Sequence, residues 1–257
     1  MRKCIVRGGM LALSAVLAFA GLHAAAEEEE PLNVLLITGG GWHDYEAQQD
    51  ILTEGISERA NVEFTIDFEG GLDASAKISR HEDPDWAEPW DLVLYNICYS
   101  GVTDSEYVAR VVNSHVEHGV PAVALHATMH SYSFQEDNPI WWDFLGARSE
   151  RHQSHMPFEV EVLAPDHPVM QGFPDGWETP EGELYEIEEM MPTATPCAHS
   201  FGEDSGEHHI NVWTNEYEGV RVFATTIGHH NVTMEAPEYL DLVTRGLLWA
   251  ADRLEEE

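Results

Sequence analysis

The sequence predicts an α/β fold, a mostly parallel sheet flanked by helices, with antiparallel additions in the C-terminal half. Three observations carry that expectation. Apolar runs of strand length alternate with helix-period segments through the first half of the chain. The second half is mostly strand-like runs joined by turns. Finally, three buried-type strands, NVLLITGGGWHD, AVALHATMH and VFATTIGHH, run directly into His43, His126 and His229. In an open parallel sheet, ligands bind outside the carboxyl ends of the strands. Three imidazoles arriving there from distant parts of the sequence point to one site, and imidazole serves as acid, base or metal ligand near neutral pH.

Residues 1–26 stand apart from the fold. They combine a basic start (Arg2, Lys3, Arg7), an apolar run over 10–22 and Ala24-Ala25-Ala26, the layout of a secretory signal cleaved near Ala26. The run is short for a membrane span, and no other stretch is long enough for one. Cys4 precedes the apolar run and leaves with it. The expectation is a secreted or periplasmic protein with residues 27–257 as one domain.

Within that domain LNVLLIT is the first strand, turned by Gly39-Gly40-Gly41. Helical spacing follows over 44–59, with Ala47, Ile51, Leu52 and Ile56 on one side. VEFTIDF alternates with period two, and DLVLYNI reads as a buried strand. Thr103 and Glu106 form a capping-box signature for a helix lined by Val108, Val111, Val112 and Val116. His118-Gly119 ends that helix and PAVALH is the next strand. A Trp-rich helical segment over 140–145 leads to the strand-like runs PFEVEVL, ELYEIEE, TATPCAHSF, INVWTNEY and GVRVFATTI. A closing helix over 237–254 aligns Leu240, Val243, Leu247, Leu248 and Ala251, and Trp249 is expected in its core. The acidic stretches 27–30 and 255–257 are expected to fray.

The whole chain carries 12 basic and 47 acidic residues. Removing the signal leaves nine basic residues against 47 acids, a net charge of −38, with Lys77 the one remaining lysine. Nucleic acid and anionic membranes are bound mainly through Lys and Arg, so neither is an expected partner. Such a surface suits solubility in a salty medium or attraction of cations. Cys98 and Cys197 lie in apolar strand-like runs and are expected as buried thiols. No CxxC zinc spacing is present.

GVPAVALHATMH has the layout of a nucleophile elbow, a buried strand ending in a polar residue before small residues and a helix. Class I glutamine amidotransferases place a cysteine nucleophile there; this chain has His126. Their catalytic histidine ends a later strand, where VFATTIGHH offers His229, but the acid expected two positions on is replaced by Asn231. The scaffold fits while the thiol chemistry does not. At these residues the chain resembles the trehalose-utilisation (ThuA-like) family over nearly all of 32–252. The resemblance rests on GGGWHD, LHA at 125–127, RHQSH at 151–155, DHP at 166–168, ELY at 183–185, GVRVFATTIGHH and the terminal GLLWA. It implies a flavodoxin-like, class I glutamine amidotransferase-like scaffold, sugar metabolism involving 3-keto glycosides, and a bound divalent metal.

The residues themselves suggest the roles. His126, His229 and Glu183 are the expected catalytic groups. Trp42, Asp44, Tyr185, His152 and Trp142 are the expected substrate contacts, and His43, His126, His155 and His229 the expected metal ligands. Histidines with a carboxylate suit zinc, iron, nickel or manganese alike. Several residues also have purely structural readings. Asp44 suits a helix cap, His167 in Asp-His-Pro suits a turn, and His208-His209, in the metal-friendly run HSFGEDSGEHHI, read as exposed loop. The expected function is an exported enzyme acting on an oxidised (3-keto) glycoside by metal- or His-assisted elimination or hydrolysis, with a small sugar or glycoside as partner. The alternatives are a non-catalytic sugar-binding module and, more remotely, a metal-storage or metal-delivery protein.

Overall fold

The computed structural model describes Met1 and residues 30–132 and 139–254; the expected signal, 1–26, and the acidic end, 255–257, otherwise lie outside the described residues. The first strands are β1 (Leu32–Gly40), β2 (Val62–Asp67), β3 (Leu92–Cys98) and β4 (Ala122–Leu125). Later strands are β5 (Ala147–His152), β6 (Glu159–Val162), β7 (Trp177–Glu178), β8 (Tyr185–Met190), β9 (Ala194–Gly202), β10 (Glu207–Tyr217) and β11 (Val220–Thr225). Nine of them form one sheet in the order β2-β1-β3-β4-β11-β10-β9-β6-β7. The half from β2 to β11 is parallel and the remainder is antiparallel. The parallel half has its strand-order reversal between β1 and β3, where open α/β sheets place their ligand crevice.

Helices α1 (Tyr45–Ser57), α2 (Ser105–His118), α3 (Pro139–Leu145), α4 (Asn231–Met234) and α5 (Pro237–Ala250) complete the chain. Two apolar clusters fill the space between sheet and helices. One joins Leu35, Ile37 and Val93 to the α2 valines and to Trp141 and Phe144 of α3. The other joins Val34, Leu36 and Leu94 to Leu52 of α1 and to Leu240, Val243 and Leu247 of α5. Alternate residues of β1 therefore feed opposite clusters, as the period-two geometry of a strand covered on both faces requires. Gly246 lets α5 lie directly on β11, since a Cβ there would meet the Phe223 ring at 2.3 Å.

Local details depart from the sequence reading where polar residues compete. Asp104 caps α2, accepting from the Tyr107 backbone N–H at 3.1 Å, so Thr103 is not the cap. Gly119 closes the helix at φ 66°, the left-handed conformation that favours glycine. β5 has no strand-like apolar alternation and is held by pairing with β8 in a separate two-stranded sheet. His208 and His209 belong to β10 rather than to a loop, and His209 is buried. Trp249 is half-buried between Arg221 and His167 rather than sunk in the core. Cys98 and Cys197 are both buried and free.

His81 and His115 are buried between α2 and the residues preceding β3. The His115 Nδ1–H donates to Val120 O at 2.7 Å, and Nε2 accepts the Tyr95 hydroxyl at 2.7 Å. Burial pushes His115 down to about 4 and His81 down to about 3, with His115, Arg80 and Arg110 reinforcing the shift at His81. Both folded values lie below the ordinary 6.5, so the unfolded chain binds more protons between them. Their contribution to stability is complete above about pH 6.5 and is lost as the pH falls towards about 4. Calorimetric melting midpoints should fall across that window, and His115→Gln should flatten the fall. Parallel pH profiles for variant and wild type would rule out titration of His115 on unfolding.

Candidate functional site

Three parallel strand ends build the site. β1 leaves the sheet through Gly39 (φ 132°) and Gly40 (φ 104°). A Cβ on Gly40 would lie 2.3 Å from Cys98 O, so only glycine lets β1 and β3 approach this closely at their ends. Trp42 follows at φ 73°, and His43 turns inward. β4 ends at His126, itself at φ 44°, the first residue of a one-turn 3₁₀ helix over His126–His130. β11 leads through Gly228 (φ 116°) to His229. Gln48 of α1 donates to His229 O at 3.1 Å and is itself held by Asn96 of β3. Glu183 comes from elsewhere, immediately before β8 in the small sheet.

Glu183 is 5% exposed and has imidazoles on both oxygens. His126 Nε2 lies 3.1 Å and His229 Nδ1 3.0 Å from Oε2. His155 Nε2 lies 2.7 Å and His152 Nδ1 3.1 Å from Oε1. His43 closes the group, its ring centroid 5.0 Å from that of His126 and 4.7 Å from that of His229. One ligand atom from each of His43, His126, His229 and Glu183 falls within 4.8 Å of all the others.

Backbone carbonyls fix two tautomers, because a carbonyl can only accept. The His126 Nδ1–H donates to Thr226 O at 2.6 Å, and the His43 Nδ1–H donates to Gly41 O at 3.0 Å. Burial holds His126 below its ordinary value and pushes His43 down to about 3, so the His43 ring is neutral at neutral pH. Its Nε2 atom therefore carries a lone pair. Burial opposes ionisation of Glu183, but hydrogen bonds and charge from His126 and His229 outweigh it and keep the carboxyl well below the usual range. His126 Nε2 lies within hydrogen-bond distance of the carboxylate, 3.1 Å away, whereas His43 Nε2 is buried with no hydrogen-bond partner among the described residues.

Together these groups could hold a cation. The four donor atoms, with Nδ1–H groups of two histidines tied to backbone carbonyls, fit a divalent metal and its supporting shell.

The cleft above this group has a volume of about 540 Å³. Trp42, His43, His152, His155, Glu183, Tyr185 and His229, all singled out in the sequence, line it. His126 is 1% exposed and sits behind them, where it meets Glu183 and His229 rather than the cleft. His155 binds the second oxygen of Glu183 and stands outside the four-group set. Two expected substrate contacts are corrected. Trp142 is buried in the core beneath Arg148 and does not line the cleft. Asp44 caps α1 and accepts from Asn231 at 2.8 Å, which ties α1 to α4.

Sequence reading missed His130, Ser100, Glu150 and Arg151, all lining the cleft. His130 lies parallel to the Tyr185 ring at 4.0 Å and 11°, fixing that phenol over His126. Its position four residues beyond His126 was the available signal. Arg151 reached the cleft through a strand whose polar sequence gave none.

Fold and site together define an α/β protein of amidotransferase-like architecture in which the strand-end positions of nucleophile and partner both hold histidine. The ThuA family model, described as trehalose utilisation, matches residues 34–250, and the chain belongs to that family. A protein named ThuA-like from Parabacteroides merdae is 22% identical at a TM-score of 0.67, covering 89% of this chain and 93% of its own. Another named ThuA-like, from Bacteroides uniformis, is 14% identical at a TM-score of 0.64, covering 89% and 95%. A protein named for GMP synthase, from Thermoplasma acidophilum, shares the fold at 12% identity and a TM-score of 0.50, covering 88% and 100%. No curated protein matches the chain.

The close approach at Gly40 makes a local prediction. Gly40→Ala must displace β1 from β3 and should cost about 2 kcal/mol or more by chemical denaturation. Gly119→Ala, with open space around its Cβ, should cost only about 1–2 kcal/mol. Equal losses would mean that the β1–β3 approach relaxes freely.

Proposed function

We propose that the chain is an exported carbohydrate-processing enzyme that acts on an oxidised (3-keto) glycoside in this cleft. The observation that carries the reading is the convergence of His43, His126, His229 and the Glu183 carboxylate, with one ligand atom from each within 4.8 Å of the others. Family membership supports a carbohydrate-related role. Export rests on the signal-like segment 1–26.

His43, His126, His229 and Oε2 of Glu183 are the groups that would hold a divalent ion. Such an ion, zinc, iron, nickel or manganese, supplies Lewis acidity towards a ketone oxygen. Trp42, 72% exposed at the mouth, offers an aromatic face to the apolar face of a pyranose. Tyr185, held by His130, offers a hydroxyl towards the sugar.

The proton at C2, acidified by the C3 ketone, falls to an imidazole backed by a carboxylate. With His229 in the ion-binding set, that imidazole is His155. Its Nε2–H is held by Oε1 of Glu183 at 2.7 Å, leaving Nδ1 to take the proton while the carboxylate stabilises the imidazolium. The C2–H electron pair then forms the C1–C2 double bond as the C1–O bond breaks. The proton on His155 passes to the departing oxygen, so the aglycone leaves as an alcohol, and water adds to the unsaturated sugar afterwards.

Turnover of a 3-keto-glucoside, followed by aglycone release, tests this. Glu183→Gln and His126→Ala should each lower kcat at least about 10²-fold, within the range of a general acid–base group. His155→Ala should lower kcat by about 10²-fold while leaving the metal content of the purified protein unchanged. Full activity in His126→Ala would sink the assignment. Sugar binding by calorimetry, with no product from any keto-glycoside, would favour a non-catalytic binding module.

A further inference from the structure

The sequence run HSFGEDSGEHHI, metal-friendly in composition, takes no part in the cleft. It forms the end of β9, its turn and the start of β10, so the hairpin returns His208 beside His199. β6 lies on the other side of β9 and places Glu161 directly opposite His199. By the period-two rule Glu161, His199 and His208 all project from one face of three adjacent strands.

We propose that Glu161, His199 and His208 form a zinc-binding site on this face, separate from the cleft. His199 Nε2 lies 3.5 Å from Oε2 of Glu161, and His208 Nε2 lies 3.5 Å from Oε1. These separations exceed the ~2.7–3.2 Å of N–H···O hydrogen bonds. They match the edge of about 3.3 Å that zinc–nitrogen and zinc–oxygen bonds of about 2.0–2.1 Å give in a tetrahedron. The two imidazoles are stacked, 4.5 Å apart and 27° from parallel, with both Nε2 atoms aimed at one carboxylate.

Two imidazolium ions in that arrangement would repel each other. One dication shared by two neutral imidazoles and a carboxylate satisfies all three groups. The ligands stand on hydrogen-bonded strands, so little ordering is needed on binding. His199 is 21% and His208 46% exposed at the side chain, which leaves a fourth coordination position to water. The Phe201 ring stands against His208 at 5.2 Å and shields one side. The excess of 47 acidic over 12 basic residues raises the local concentration of cations around the whole molecule.

The test is zinc titration of chelator-stripped, full-length protein, with bound metal counted by elemental analysis and located by histidine NMR shifts. Wild type should bind two equivalents. The double variant His199→Ala/His208→Ala should bind one fewer, and Glu161→Gln should weaken the same equivalent at least about tenfold. Circular dichroism checks that both variants fold, which half-exposed positions allow. His126→Ala should remove the other equivalent and leave this one in place. An unchanged zinc count and affinity in the double variant overturns the proposal. Loss of an equivalent in the double variant but none in His126→Ala supports this site and defeats the metal reading of the cleft.

Discussion

An ionised carboxylate buried to 5% exposure is the constraint around which the rest of the structure is arranged. Left unpaired, such a group costs several kcal/mol. Glu183 is tolerated because each of its oxygens meets two imidazoles, two from strand ends of the main sheet and two from the segment around β5. Neither source suffices alone. The parallel strands deliver His43, His126 and His229 to one crevice, but no acid reaches it from that sheet. The acid arrives just before β8 of the small β5–β8 pair. Two isolated strands are marginal in water, and here the pair is tied to the strand-end histidines through Glu183.

The backbone around the site is held in conformations that unconstrained residues avoid. Gly39, Gly40 and Gly228 all have positive φ, and His126 and Trp42 adopt it without being glycine. A non-glycine residue there costs on the order of 1–2 kcal/mol. At His126 the conformation is imposed from two sides, by the Thr226 carbonyl on Nδ1 and by Glu183 with His229 on Nε2. The strain keeps the imidazole at the end of its strand with both ring nitrogens committed to the interior. Such over-determined strain is characteristic of sites where a side chain must be aimed before a ligand arrives.

The parts of this arrangement legible in sequence are those governed by burial. Runs such as NVLLIT and AVAL are apolar because both faces of the sheet are covered, so the strands, their order of appearance and the histidines at their ends could be read directly. Glu183 and Tyr185 fall in the ELY motif at 183–185 that carries the family resemblance, and the structure brings both to His126. What could not be read is what depends on partners distant in sequence. ARSERH becomes β5 only because β8 lies beside it. Asp44, equally plausible by sequence as cap or contact, is settled by Asn231 reaching it from α4. Trp142 follows the general tendency of tryptophan towards the core, and a position beside Trp141 did not reveal which way its ring faces. His208 read as loop because its neighbours are polar, whereas cross-strand pairing with Phe201 makes it strand.

The architecture shared with amidotransferase-like proteins limits which chemistry can operate here. A thiol is present at the crevice, since Cys98 ends β3 and lines the cleft. Burial pushes it up to about 11, with the charge of Glu183 adding to the rise, so it is a protonated thiol at neutral pH. A cysteine nucleophile needs the opposite environment, one that favours the thiolate. The burial that encloses Cys98 therefore suppresses thiol chemistry here, and the charge of Glu183 adds to it. With His126 at the elbow and Glu183 beside it, the crevice gathers imidazoles and a carboxylate around a thiol that stays protonated.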